Sequence, residues 1–155
     1  MEWVKGDYRL SDDPGELDMA AVAALLHTTY WAHDRSEERL RAAFANSFCL
    51  HLKRGAEQVG FARAVTDFAT FTWVCDVIVN PEHRGHGLGK WLVECLIGHP
   101  KLQTAQLLGT KDAHALYERY GFKRLEFMKR LPPGVPTGYD PLGQGKDGQV
   151  SLSTE

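Results

Sequence analysis

The stretch that decides the fold is Val77-Ile78-Val79-Asn80-Pro81-Glu82-His83-Arg84-Gly85-His86-Gly87-Leu88-Gly89-Lys90. It begins as an apolar strand, turns at Pro81 and then places glycine at every second position from Gly85 to Gly89. A helix is predicted immediately afterwards, because apolar residues recur at the spacing of one helical face. These residues are Leu88, Trp91, Leu92, Cys95 and Leu96.

This loop has the properties of an anion-binding site. Glycine carries no Cβ, so the backbone N–H groups of the loop can approach a ligand closely. The first N–H groups of a helix lack intrahelical partners, and the helix dipole adds partial positive charge there. Arg84 and Lys90 would add charge-assisted contacts. The loop is therefore predicted to bind phosphate oxygens.

Two familiar phosphate-binding loops do not fit the spacing. In the nucleoside-triphosphate loop GxxxxGK[ST], an alignment on Gly89-Lys90 puts Arg84 at the first glycine and Trp91 at the metal-binding hydroxyl. In the dinucleotide fingerprint GxGxxG, a start at Gly85 puts Lys90 at the third glycine. A plain glycine-rich turn before a core helix stays open as the alternative without a ligand.

Upstream of the loop, the sequence predicts a short strand, two helices and then three strands. Asp18 and Ser36 are the predicted N-caps of the helices, which end near Tyr30 and before Asn46. Residues rich in β-branched and aromatic side chains predict the three strands, joined as an antiparallel meander. The predicted strands are residues 7–10, 48–52, 58–66 and 71–79.

Downstream of the loop helix, a strand (about 103–108), a helix (about 112–120) and a final strand (near 122–129) are predicted. Such crossovers usually connect parallel strands. From residue 131 onward proline and glycine dominate, so we expect one domain over residues 1–130 and a Pro/Gly-rich tail over 131–155. The tail is expected on the surface, with a lid over the cleft as the alternative.

Composition limits the classes of function. The chain has 155 residues and a net charge of −2, which fits one ordinary domain and argues against a nucleic-acid partner. Apolar runs fall short of the roughly 20 residues of a membrane span, and no signal peptide is recognised, so we expect a cytoplasmic protein. Three cysteines without CxxC and seven histidines without HExxH predict reduced thiols and no metal.

A second motif follows the loop, namely Ala113-His114-Ala115-Leu116-Tyr117-Glu118-Arg119-Tyr120-Gly121-Phe122. It resembles Ala-x-x-Leu-Tyr-x-x-x-Gly-Phe of the GNAT superfamily of N-acetyltransferases, and residues 84–89 match that family's Arg/Gln-x-x-Gly-x-Gly/Ala signature. The specific match covers about residues 77–122. The resemblance implies an α/β (α+β) fold: a mixed, mostly antiparallel sheet of six to seven strands, flanked by about four helices and splayed at the strand ending near Val79.

The resemblance also implies acetyl-CoA as the co-substrate. The main chain of Val77, Ile78 and Val79 would bind the pantetheine arm and help polarise the thioester carbonyl. The family often has Asn seven residues before its motif tyrosine, where this chain has Thr110, whose hydroxyl would replace one amide contact. The pyrophosphate would lie on Arg84, Gly85, His86, Gly87, Leu88, Gly89 and Lys90.

Tyr117 occupies the family position whose hydroxyl protonates the departing CoA thiolate. A phenol with a pKa of about 10 is protonated at neutral pH and can donate; a ring packed in the core is the alternative. The acceptor amine must first lose a proton, at a cost of about 4.6 kcal/mol at pH 7 for a pKa of about 10.4. Asp76, beside the expected bulge, is the best-placed base by sequence, with a solvated strand residue or an ion-pair partner as alternatives.

The expected reaction is acetyl transfer to a primary amine of a small molecule or peptide. Acceptor contacts are expected from Tyr30, Trp31 and Arg35 between the two helices, and from Trp73 in the same cleft. Aromatic packing on the sheet is the alternative for Trp31 and Trp73. A non-catalytic acyl-CoA-binding or regulatory module is the alternative function. A homodimer through the final strands would follow from the resemblance alone.

Overall fold

The computed structural model describes residues 1–134 and contains one six-stranded sheet in chain order. Neighbouring strands are antiparallel except the last pair, β5 and β6, which is parallel. The predicted meander and the predicted parallel pairing are therefore both confirmed. The strands are β1 (Glu2–Lys5), β2 (Tyr8–Ser11), β3 (Phe48–Arg54), β4 (Glu57–Thr66), β5 (Phe71–Val79) and β6 (Ala105–Leu108).

Within residues 1–134, four α-helices accompany the sheet, and the first two begin at the predicted caps. Asp18 accepts a hydrogen bond from the Ala21 N–H at 3.0 Å, and Ser36 accepts one from the Arg39 N–H at 3.3 Å. The first helix ends at His27, before the predicted Tyr30, and turns follow it. The helices are α1 (Met19–His27), α2 (Glu37–Ala45), α3 (Leu88–Ile97) and α4 (His114–Glu118).

Two apolar clusters fill the two faces of the sheet. One joins α1 and α2 to the sheet, and Val22, Leu26, Leu40, Phe44, Phe61 and Ile78 belong to it. The other joins α3 to the opposite face, and Leu10, Leu50, Leu52, Val79, Leu92 and Leu96 belong to it. Period-2 alternation in the strands supplies both clusters, since successive side chains point to opposite faces.

A bulge in β5 and the end of its pairing with β6 together open the sheet. The β4–β5 register runs from Arg63↔Cys75 to Phe61↔Ile78, so Ala62 alone lies opposite two residues of β5. Pairing with β6 ends at Val74↔Leu108, although β5 continues to Val79. The strands therefore separate beyond Val74, which confirms the splay predicted near the end of this strand.

Two sequence predictions about strands need correction. The hairpin partner β1 (Glu2–Lys5) was not predicted, because four residues before a turn are too few to show a period. The final strand predicted near 122–129 is wrong: residues 122–132 have no helix or strand, and Met128 is 97% exposed. This segment has no β-branched residue and alternates poorly, so its residues lack the features that favour strand pairing. Most of the predicted tail lies outside the described residues.

No helix within residues 1–134 combines the length and apolar character needed to span a membrane.

One buried histidine makes the fold sensitive to acid. His51 in β3 is 1% exposed; its Nδ1 lies 3.1 Å from Nε2 of Gln58, and its Nε2 has no hydrogen-bond partner within residues 1–134. Burial, together with the charge of Lys53, lowers the pKa of His51 from 6.5 to about 4. The unfolded chain therefore binds a proton between these pH values that the folded chain excludes.

We predict that protonation of His51 does not change the free energy of unfolding above about pH 6.5. The free energy of unfolding should fall as the pH drops from 6.5 towards 4. Between pH 7.5 and pH 5 the loss should be about 2 kcal/mol. Urea unfolding at several pH values measures it. His51→Gln, which keeps an amide beside Gln58, should remove this part of the pH dependence, whereas His33→Gln at an exposed site should not. Parallel profiles for wild type and His51→Gln would refute the prediction.

Candidate active site

The glycine loop opens on a large cavity at the start of α3. Gly85 and Gly87 have φ values of 85° and 69°, a backbone that side chains rarely adopt, and Gly87 is the N-cap of α3. The cavity has a volume of about 580 Å³, within the usual range of small-molecule sites. Its lining includes Thr28, Thr29, Tyr30, Trp31, Val77, Ile78, Val79, Arg84, Gly85, Gly87, Leu88, Gly89, Val93, Asp112, Ala113, Leu116 and Tyr117.

Most of the predicted cofactor residues meet in this lining, but His86, Lys90 and Thr110 do not. His86 and Lys90 are absent from it: Nδ1 of His86 lies 3.2 Å from the His83 carbonyl oxygen, and Nζ of Lys90 lies 3.7 Å from a carboxylate oxygen of Glu94. A Cβ added at Gly85 or Gly89 would have no protein atom within 4 Å. The loop backbone therefore faces open space, as a phosphate site requires.

Lys5 is a cation beside the loop that the sequence did not reveal. Its Nζ lies 3.5 Å from the position that a Cβ on Gly87 would take. The same ammonium lies 5.9 Å from the centre of the Trp91 ring, a cation–π distance. Lys5 ends β1, so the strand that sequence analysis missed also brings this charge to the loop.

A smaller cavity of about 180 Å³ adjoins the large one where β5 and β6 separate. The two cavities share six residues, Tyr30, Trp31, Val77, Asp112, Ala113 and Tyr117. The remaining lining of the smaller cavity is Val74, Cys75, Asp76, Leu108, Gly109 and Thr110. The bulged part of β5 thus separates a long cavity, which begins at the glycine loop, from a short one on the other side of Val77.

Tyr117 lies where the two cavities meet. Burial, with a contribution from the charge of Asp112, raises the pKa of Tyr117 to about 12. Its ring packs edge-on against Phe122, with ring centres 5.7 Å apart. No residue within 1–134 forms a hydrogen bond with its hydroxyl. Tyr117 therefore combines a packed ring with a protonated hydroxyl group at the junction.

Asp76 lies in a buried ion-pair triad, the last of the alternatives that the sequence left open for it. Its Oδ1 accepts a hydrogen bond from Arg35 Nη1 at 2.8 Å, and its Oδ2 accepts one from Arg63 Nε at 2.6 Å. The Asp76 side chain is fully buried, so the main chain of this residue forms its part of the cavity wall. Burial opposes the charge of Arg63, but the neighbouring carboxylate outweighs this effect and raises the pKa of Arg63.

The predicted acceptor residues separate into two groups. Tyr30 and Trp31 line both cavities, with ring centres 5.2 Å apart at 84°. Arg35 is buried in the triad and lines neither cavity. Trp73 also lines neither, and its ring lies edge-on to Phe127 at 5.9 Å, which agrees with the packing alternative.

Thr110 is found in the smaller cavity rather than the larger one, and its hydroxyl accepts a hydrogen bond from the Ala113 N–H at 3.0 Å. Asp112 lines both cavities, and sequence analysis did not select it. Its position directly before the second motif was the available signal.

Within residues 1–134, no group of three His, Cys, Asp or Glu side chains is placed to hold a metal ion.

The splayed sheet, the glycine loop and the cavity between them define the fold as that of the N-acetyltransferases. Comparison with known proteins identifies the class as acetyltransferase. The family model described as "Acetyltransferase (GNAT) domain" matches residues 45–124. A Gibberella zeae protein assigned as an acetyltransferase is 34% identical over 145 residues, which cover 78% of this chain and 82% of the relative.

Solved structures agree with this class. The crystal structure of a Xanthomonas campestris pv. campestris protein assigned to the GNAT family is 38% identical, covers 83% of this chain and 95% of its own, and has a TM-score of 0.77. A GNAT family acetyltransferase of Elizabethkingia anophelis, solved with acetyl-CoA bound, shares the fold at 18% identity and a TM-score of 0.61, over 79% of this chain and 80% of its own. This chain belongs to the GNAT acetyltransferase family and is an acyltransferase.

We predict that Asp76→Asn lowers the free energy of unfolding by about 3–5 kcal/mol, because it leaves two guanidinium groups buried without their carboxylate. Asp76 has a φ of 51°, and Asn tolerates this conformation about as well as Asp, so backbone strain should not change. Urea unfolding measures the loss, with Glu57→Gln at an exposed site as the control. A variant as stable as wild type but without turnover would instead identify Asp76 as the general base.

Proposed function

We propose that the protein transfers the acetyl group of acetyl-CoA to a primary amine by direct attack. The observation that carries the proposal is the continuous cavity from the glycine loop, along the separated part of β5, to Tyr117. Its two ends suit the two ends of the cofactor: open backbone for a pyrophosphate and a protonated phenol for a sulfur atom. The acetyl-CoA bound to the Elizabethkingia anophelis family member supports the same choice of co-substrate.

The main chain of β5 suits the pantetheine arm. Pairing with β6 ends at Val74, so Val77 and Val79 have no strand partner on that side within residues 1–134. Buried backbone N–H and C=O groups need hydrogen-bond partners, and an extended amide-bearing arm supplies them. A main-chain N–H next to the thioester would also stabilise negative charge on the carbonyl oxygen as the amine attacks.

The reaction then needs two proton movements. The neutral amine nitrogen attacks the thioester carbon and forms the C–N bond, and collapse of the tetrahedral intermediate breaks the C–S bond. Tyr117 gives its phenolic proton to the departing sulfur, and the attacking nitrogen loses one proton to solvent as the amide forms. The tyrosinate then regains a proton from solvent. With a pKa of about 12 the phenol is protonated throughout the physiological range, and a thiolate in the same water-poor cavity is a stronger base than in water.

Asp76 has no place as the base in this proposal. Both of its carboxylate oxygens accept hydrogen bonds from arginine, and its side chain is fully buried. Its contribution is to the shape of β5. A non-catalytic acyl-CoA-binding module would also need the glycine loop, so the loop does not distinguish the two functions. The placement of Tyr117 at the cavity junction favours catalysis.

Tyr117→Phe should reduce kcat by about 10²-fold or more, because it removes the proton donor to the leaving thiolate. The dissociation constant for acetyl-CoA should stay within about twofold, since the ring and its packing are retained. Thiol release from acetyl-CoA with a panel of primary amines measures kcat, and calorimetry measures binding. Tyr120→Phe, three residues further along, is the matched control. Equal kcat values for Tyr117→Phe and wild type would exclude the acid role.

Gly89→Ala should separate stability from cofactor affinity. Gly89 lies in the first turn of α3, has an ordinary φ and lines the large cavity, with no protein atom near an added methyl group. Alanine in place of a helical glycine should leave stability unchanged or raise it by about 0.5–1 kcal/mol. The methyl group should nevertheless obstruct the phosphates and raise the dissociation constant for CoA about tenfold or more.

Calorimetry with CoA and thermal unfolding test this pair of effects. Gly87→Ala provides the contrast, because its left-handed backbone should make the variant less stable as well as weaker in binding. If Gly89→Ala bound CoA as tightly as wild type, the loop would not be the pyrophosphate site.

A further inference from the structure

The smaller cavity has an unusual balance of charge. Its ionisable lining residues are Tyr30, Cys75, Asp76, Asp112 and Tyr117, and among the described residues no Lys, Arg or His lines it. Burial raises the pKa of the Cys75 thiol to about 12, and Tyr117 is likewise uncharged at neutral pH. Asp76 is paired with Arg35 and Arg63 in a buried cluster whose net charge is +1. Asp112 is the one carboxylate of this lining without an ion pair within residues 1–134.

The rest of the lining is apolar or aromatic. Val74, Val77 and Leu108 contribute aliphatic surface, and Tyr30 and Trp31 contribute two rings at a right angle. Aromatic faces attract cations and pack on apolar groups. The nearby Lys111 lies outside both linings, with its Nζ 5.5 Å from the centre of the Tyr30 ring. At about 180 Å³, the cavity has the volume of about six water molecules of 30 Å³ each.

We infer that the smaller cavity is the acceptor site, that Asp112 is the general base that takes the proton of the incoming ammonium, and that the site selects small apolar or aromatic amines that carry no carboxylate. The inference rests on the proposed function, because the acceptor must reach the thioester where the two cavities meet. Asp112 and Tyr117 both line that junction.

The proton transfer follows from desolvation. A free acceptor amine arrives as an ammonium ion, which the carboxylate of Asp112 attracts. Once the cofactor and the acceptor fill the cavities, both charges lose water, and burial disfavours the charged form of each. Transfer of one proton from the ammonium to the Asp112 carboxylate gives a neutral amine and a neutral carboxylic acid. The amine then attacks the thioester, and its nitrogen loses a second proton to solvent as the amide forms. Asp112 returns its own proton to solvent after product release.

The selectivity follows from the same charges. An amino acid would place its α-carboxylate within the same small cavity as Asp112, with no lining cation to pair with it. Like charges in a partly desolvated site repel one another, and a carboxylate loses its hydration there without compensation. Arg84 lines only the larger cavity, where the proposed function assigns it to the phosphates.

The test compares wild type with Asp112→Asn and Asp112→Glu, with phenethylamine as acceptor from pH 6.5 to 10. Asp112→Asn should lose about 100-fold in kcat/KM at pH 7, and its deficit should shrink as the pH rises and the amine deprotonates in solution. Asp112→Glu should recover part of the rate at pH 7. Acetyl-CoA affinity and thermal stability should match those of wild type and of Glu38→Gln, a control on the exposed face of α2. A merely structural role would not produce a deficit that depends on pH.

Phenylalanine, which differs from phenethylamine only by its α-carboxylate, tests the selectivity. Wild type should use it at least 100-fold less efficiently. Suppose that wild type acetylates phenethylamine. If Asp112→Asn then showed the same pH profile, or if phenylalanine reacted equally well, this inference would be overturned and the proposed function would stay intact. Absence of CoA release with any amine, including hydroxylamine, by protein that binds acetyl-CoA would overturn both.

Discussion

The buried contact of Asp76 with Arg35 and Arg63 is the interaction on which the site depends. The three residues come from three parts of the chain: β5, the connection between α1 and α2, and β4. Three charges without water are costly unless each is paired with good geometry, so the triad tolerates little displacement of any partner. It fixes Asp76 in a positive-φ conformation that an unsupported strand residue would rarely keep.

The ion-pair triad determines the position of two cavity walls, β5 and the connection after α1. On one side, the bulge beside Asp76 turns β5 away from β6 and leaves main-chain groups for a ligand. On the other side, Arg35 ties down the connection after α1, whose residues Tyr30 and Trp31 line both cavities. A single ion-pair cluster thus sets the position of the strand relative to the aromatic residues opposite it. The Asp76 side chain is fully buried within this cluster, so its carboxylate is not exposed in either cavity.

The sequence predicted best those features that depend on local chemistry. The N-caps at Asp18 and Ser36, the meander and the glycine loop each rest on residues within a few positions of one another, and all were found where expected. The splay was predicted only through the family resemblance. The features that were not predicted depend on contacts between residues distant in sequence. Nothing near Asp76 in the sequence indicates that it pairs with Arg35 and Arg63, which are 41 and 13 positions away.

The errors have the same origin. A strand forms only where a neighbour completes its ladder, so the four residues Glu2–Lys5 could become β1 while the longer segment near 122–129 did not become a strand. Lys5 was missed with β1, since its role depends on the distance to Gly87 rather than on its neighbours in sequence. Charged side chains carry no periodic signal that reports what they will face.

Two aspartates in one cavity wall illustrate how environment divides roles among identical side chains. The Asp76 side chain is fully buried and paired with two guanidinium groups, whereas Asp112 is exposed at the cavity junction and has no ion pair within residues 1–134. Because a fully buried carboxylate cannot contact a substrate proton, the first aspartate suits a scaffold, and the exposed second one suits the chemistry proposed for it. Tyr117 lies in the five-residue helix α4 and Asp112 lies two positions before it, so in the proposed mechanism both reactive groups come from one segment. The ion-pair triad includes the strand that lines the same cavities.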